Sequence, residues 1–128
     1  MSVVGVGIDL VELARVARLL ERKGERALAR LLTAGERAYL ATRADVVPHL
    51  AARIAAKEAL FKAMQSLPGG RAVGWRDLEV LRAESGRPSV ALHGHAARIA
   101  LAQGGLQIHL SLTHTVSAAA AIAVVESP

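Results

Sequence analysis

The 128-residue chain has no cysteine, which excludes a disulfide framework, a thiolate metal site and a cysteine nucleophile. Aromatic residues are almost missing: one Trp, one Tyr and one Phe. So few rings leave little to stack on bases, which weighs against a single-strand nucleic-acid reader despite Arg15, Arg18, Arg22, Arg26 and Arg30. No apolar run has the character of a membrane span, because the uncharged stretch Leu110 to Val125 is broken by Ser111, Thr113 and His114. Met1 to Leu10 contains Asp9 and no basic run, so neither a signal peptide nor an anchor is indicated, and a cytoplasmic site of action is expected. Acidic residues are the minority, 11 against 16 Lys and Arg, giving a formal charge of +5. That balance favours phosphates, nucleic acid or an acidic protein as partner without choosing among them.

Apolar residues are plentiful at 52 %. That is enough for one core in a chain of this length, and with no linker or repeat the reading is a single domain over residues 1–128. Val3 to Leu10 reads as a short buried strand delivering Asp9 to its end. Leu13, Val16, Leu19 and Leu20 recur at helical spacing up to Gly24, and a second helix covers Glu25 to Leu32. Thr33 with Glu36 is a capping-box pattern opening a third helix. Pro48 suits the first turn of a longer helix that Pro68-Gly69-Gly70 ends.

The second half reads differently. Leu78–Leu81 and Ser89–Leu92 flank a Gly86-Arg87-Pro88 turn as a hairpin, and Gly94 to Gln103 reads as a helix. Two more strands are expected: Ile108, Leu110 and Leu112 alternate with polar residues, and Ile122 to Val125 is a second apolar run. Ala118 to Ala121 is helical by propensity. The expected class is α+β, a helical first half packed on an antiparallel sheet.

Two places carry chemistry. At about 100° per residue, Leu50, Ile54, Phe61 and Met64 form an apolar arc on the long helix, with Lys57 inside it and Glu58 at its edge. A lysine there needs a structural carboxylate or an anionic ligand, unless it snorkels to solvent. Glu58 and Lys62 are i, i+4 neighbours, and Asp9 closes an apolar strand, where an aspartate often only caps the next helix. Two carboxylates with nearby lysines and no thiol suit magnesium, which takes few protein ligands and completes its shell with water and phosphate oxygens.

Gly5-Val6-Gly7-Ile8-Asp9-Leu10-Val11-Glu12-Leu13-Ala14-Arg15 and Arg53-Ile54-Ala55-Ala56-Lys57-Glu58-Ala59-Leu60-Phe61-Lys62-Ala63 resemble the two signatures of holo-acyl-carrier-protein synthase, the small phosphopantetheinyl transferase. Trp75-Arg76-Asp77-Leu78-Glu79-Val80, Gly86-Arg87-Pro88, Leu92-His93-Gly94 and His109 to Thr115 follow in the family's order. The resemblance implies the phosphopantetheinyl transferase fold and transfer of phosphopantetheine from coenzyme A to a serine of acyl carrier protein, for fatty acid biosynthesis. It implies magnesium on Asp9 and Glu58, and catalysis by these with Lys62. It places Lys57, Lys62, His114, Gly69 and Gly70 at coenzyme A, and Arg15 and Arg22 at the carrier. His114 shares strand parity with Ile108, Leu110 and Leu112, so it reads equally as a residue packing its own core. A homotrimer with sites between subunits is also implied, with neither nucleic acid nor membrane as partner. The serine's general base stays open among Glu58, a carboxylate-bound water and a metal-bound hydroxide.

Two departures from the family pattern stand out. Ile54 replaces a usual aromatic, and Gln65-Ser66-Leu67-Pro68-Gly69-Gly70 lacks the regular glycine spacing of the loop that cradles phosphates. The alternatives of another class are a basic nucleic-acid-binding module and an inactive carrier-binding scaffold.

Overall fold

Six alanines between Ala51 and Ala63 make the fourth helix thin, and the fold is built on how closely a sheet approaches it. The computed structural model describes residues 1–128. In chain order the elements are β1 (Ser2–Glu12), α1 (Leu13–Lys23), α2 (Glu25–Leu31), α3 (Ala34–Ala41) and α4 (Val46–Met64). Two 3-10 turns follow, Gly70–Ala72 and Trp75–Asp77, then β2 (Leu78–Arg82), β3 (Pro88–Leu92), α5 (Gly94–Ala102), β4 (Gln107–His114) and β5 (Ala118–Ser127).

The main sheet is antiparallel with order β1-β5-β4, while β2 and β3 pair as a separate hairpin. The sheet of the second half is therefore completed by the first strand. Ala118–Ala121 is strand, against its propensity. Ala119, Ala121 and Ala123 are buried at the centre of the sheet, where β5 is paired on both sides and only small side chains fit beneath α4. The first strand differs from expectation too. It runs to Glu12 and is buried on one face only, leaving Val6, Ile8 and Leu10 57 %, 66 % and 66 % exposed.

Gly5 and Gly7 lie on the inner face of β1. A Cβ there would sit 1.7 and 1.8 Å from the carbonyl oxygens of Ala63 and Ala59, so strand and helix backbones touch. Asp45 caps α4 by accepting from Val47 N–H at 3.2 Å. The helix is not a surface amphipath: every residue from Leu50 to Lys57 is buried, with the sheet on one side and α1, α3 and the hairpin around the rest. No helix is long and apolar enough to cross a membrane.

Candidate active site

Asp9 follows Gly5 and Gly7 on the face of β1 that meets α4. That close approach brings it against Glu58 and Lys62, one helical turn apart. Lys62 Nζ donates to Ile8 O at 3.0 Å and to Asp9 Oδ1 at 3.2 Å. The Asp9 side chain is only 13 % exposed, and its Oδ2 is buried without a partner. Burial, then a hydrogen bond and charge repulsion from Asp9, push the Glu58 carboxyl above its ordinary value, against the pull of Arg15 and Lys62.

Two carboxyls forced together need a proton or a cation between them. An orphaned carboxylate oxygen beside a second carboxyl, with no thiol or imidazole completing a cluster, is a hard-oxygen donor set. It fits magnesium and does not fit zinc.

The cluster opens into a cleft of about 420 Å³ lined by Glu58, Phe61, Lys62, Arg71, Val73 and Trp75, among others. Phe61, expected in the core, is half-buried and forms part of this wall. Trp75 and Arg71 escaped the sequence analysis as site residues. Arg71 directly follows Gly69-Gly70 and Trp75 opens a run that carries the resemblance, but neither shows a pattern that marks a cleft wall, and only the folding-back of the two 3-10 turns places them here.

Lys57 does not present its ammonium to the cleft as a ligand-binding group. Its Nζ, fully buried, donates to Glu36 Oε1 at 2.7 Å, Trp75 O at 2.8 Å and Leu78 O at 2.7 Å, which uses all three donors. Of the alternatives open from sequence, the structural carboxylate is the one found. Burial lowers the Lys57 ammonium below the ordinary lysine value, and Glu36 opposes this. Glu36 also closes the capping box with Thr33, accepting from Thr33 N–H at 2.9 Å, and accepts from Val80 N–H at 2.9 Å. Thr33 in turn donates its hydroxyl to Glu79 Oε2 at 2.6 Å, and Glu79 Oε1 lies 2.8 Å from His93 Nε2. Thr33 and His93 hold the Glu79 carboxyl below its ordinary range. This chain of polar groups ties α3, α4 and the hairpin together behind the cleft.

Gly69 and Gly70 end the loop after α4 on demands of the chain itself. Gly69 has φ +79°, and a Cβ on Gly70 would lie 1.9 Å from Met64 O. Arg15, Arg18 and Arg22 are exposed together along α1, and Arg15 is near enough to Glu58 to favour its charged form.

His114 is not gathered with them. It ends β4, opposite Ala119, which is itself opposite Val11 of β1, so two strand spacings, about 10 Å, separate its strand from β1. Its neighbourhood is the start of α4, where burial first, then Arg43, Arg53, Arg82 and His114, lower the His49 imidazole below its ordinary value. Arg53 and Arg43 stand 4.3 and 5.0 Å from the centroid of the Tyr39 ring. Arg53 is 2 % exposed and its Nε has no partner. From His49 to Lys62 α4 rises about 20 Å, so the chain carries two separate basic regions.

Residues 5–124 match the family model described as the 4′-phosphopantetheinyl transferase superfamily. The chain belongs to that superfamily. A holo-acyl-carrier-protein synthase of Koribacter versatilis is 43 % identical over 125 residues, spanning 97 % of this chain and 98 % of that one. The holo-acyl-carrier-protein synthase structure from Neisseria meningitidis superposes with TM-score 0.85 at 30 % identity, over 98 % of this chain and 100 % of the other. That from Bacillus anthracis, solved in complex with coenzyme A (3′,5′-ADP), gives TM-score 0.79 at 30 % identity, covering 98 % of each chain. The protein is a phosphopantetheinyl transferase with the α+β fold of that superfamily.

Proposed function

We propose that this transferase moves 4′-phosphopantetheine from coenzyme A to a serine hydroxyl of an apo-acyl carrier protein in the cytoplasm, for fatty acid biosynthesis, releasing 3′,5′-ADP. The observation that carries this reading is the Asp9–Glu58–Lys62 cluster at the wall of the cleft. Magnesium, when held by Asp9 and Glu58, supplies positive charge to the phosphate oxygens on which negative charge accumulates. Lys62 Nζ, half-exposed and engaged by two oxygens, keeps one donor for a phosphate oxygen. Phe61, Val73 and Trp75 offer an apolar wall suited to the pantetheine arm.

The exposed arginines of α1, Arg15 and Arg22, receive the acidic carrier. Because Arg15 is electrostatically coupled to Glu58, the docking surface adjoins the chemistry. The second basic region, with His114, Arg53 and Arg43, is the place for the nucleotide end of a coenzyme A whose pyrophosphate lies in the cleft of a neighbouring subunit. The open apolar face of the sheet, Val6, Ile8, Leu10 and Ile122, supports a homotrimer, because a second copy would cover it.

Intact-mass analysis tests the proposal. Apo-carrier protein incubated with enzyme, coenzyme A and magnesium should gain one phosphopantetheine, and Asp9→Ala enzyme should leave it unmodified. A carrier that stays apo with wild-type enzyme contradicts the reading.

A further inference from the structure

Three cations line the cleft, and two are already engaged. Lys57 is held by Glu36 and two carbonyls, and Lys62 leans on Ile8 O and Asp9, whereas Arg71 is exposed and has no protein partner. Arg71 is the middle residue of the 3-10 turn Gly70–Ala72. The two glycines before it make a turn that would wander on its own.

It is instead tied from outside. The Gly69 carbonyl closes the turn by accepting from Ala72 N–H at 3.0 Å, and His95 Nε2 lies 2.9 Å from the same oxygen. A carbonyl only accepts, so Nε2 carries the proton. The imidazole also covers the loop: a Cβ on Gly69 would be 3.2 Å from His95 Nε2 and 3.9 Å from Ile99 Cδ1. His95 is itself anchored, because α5 begins where His93 N–H donates to Asp77 O at 2.8 Å. At the other end of the loop Ser66 Oγ donates to Val4 O at 2.5 Å.

We propose that Arg71 binds a phosphate group of the coenzyme A substrate in the cleft, and that His95 is its positioning residue, acting through the Gly69 carbonyl. This rests on the transferase reading above and adds two residues to it. The loop whose glycine spacing departs from the family pattern is held by a side chain of α5 in place of its own backbone alone. A guanidinium presented from a fixed turn offers paired donors to a phosphate, which a mobile one does at greater entropic cost.

The test is steady-state kinetics on the full enzyme with magnesium, apo-carrier protein and coenzyme A. Arg71→Ala should raise the KM for coenzyme A roughly tenfold or more, the scale of one charged hydrogen bond, and leave the KM for carrier protein unchanged. Arg71→Lys should recover part of it. His95→Ala should raise the same KM less, and His95→Gln, which keeps an N–H donor, should restore it. The double variant Arg71→Ala, His95→Ala should be no worse than Arg71→Ala alone, because both act on one contact. An unchanged KM for coenzyme A in folded Arg71→Ala enzyme overturns the proposal, and so do effects of the two substitutions that multiply. Wild-type enzyme that transfers normally while Arg71→Ala is also normal removes this proposal alone. Wild-type enzyme that neither binds coenzyme A nor modifies the carrier removes the transferase reading, and this proposal with it.

Discussion

Lys57→Met separates a buried structural ion pair from a ligand-binding lysine. The methionine fills much the same volume but leaves the Glu36 carboxylate without its cation and the Trp75 and Leu78 carbonyls without a donor. Removing one partner of a buried pair costs about 3–5 kcal/mol, a large part of the roughly 5–15 kcal/mol that holds a domain together. Glu36→Gln should fall in the same range of about 3–5 kcal/mol, because it strips the anion from a fully buried ammonium. Replacing both, as Lys57→Met with Glu36→Leu, should not restore wild-type stability as it does for an isolated pair. Leu78 O and Val80 N–H would still be buried without their partners, and the part-buried Trp75 O would lose its donor. Urea unfolding followed by circular dichroism gives the stabilities, and the KM for coenzyme A is measured on the folded variants at low temperature. The expected result is a large loss of stability with the KM unchanged. A Lys57→Met enzyme within about 1 kcal/mol of wild type and with a raised KM for coenzyme A would refute the reasoning and return Lys57 to the ligand.

Asp9→Ala and Glu58→Ala should each lower kcat by about a hundredfold or more, measured at saturating magnesium, with circular dichroism unchanged. Because Asp9 and Glu58 repel, Glu58→Gln in magnesium-free buffer should unfold no earlier than wild type; an earlier midpoint counts against the crowding inferred here. The Glu79 carboxyl is held below its ordinary value, so its contribution to stability is present above the usual carboxylate range and is lost as pH falls through its folded-state value. Urea midpoints of wild type and Glu79→Gln should therefore differ near neutrality and converge in acid. Charge reversal at Arg15 or Arg22 to glutamate should raise the KM for carrier protein and flatten its dependence on salt, with coenzyme A affinity little changed; unaltered carrier kinetics would move the docking surface elsewhere.

The local signals in the sequence were strong where they were short-range. Thr33 with Glu36, the alternation of Ile108, Leu110 and Leu112, and the glycines around the loop after α4 each correspond to an element found in the fold. Long-range partnership was not legible. Nothing near Glu36 announces that a helix cap also neutralises a lysine 21 positions away, and nothing near Trp75 or Arg71 announces a cleft. The alanines of β5 misled because helix propensity is weak beside the demand for small side chains under α4. Phe61 misled because a wheel drawn on α4 alone does not show that one side of the helix is left open by the hairpin and the two turns. Asp9 and Glu58 were legible as a hard-oxygen donor set from residue chemistry, and the resemblance then named them as partners, but the contact itself was not legible. Their meeting depends on Gly5 and Gly7 letting strand and helix touch, and no single window of sequence contains both.

The most direct test of the central claim is the stoichiometry of a single incubation. Enzyme, apo-carrier protein, coenzyme A and magnesium are combined, and holo-carrier protein and 3′,5′-ADP are quantified together over time. The account predicts that the two products accumulate in equal amounts, and that neither forms when Asp9 or Glu58 is replaced by alanine. Carrier protein that is bound but not modified, or coenzyme A consumed without 3′,5′-ADP appearing, would contradict it.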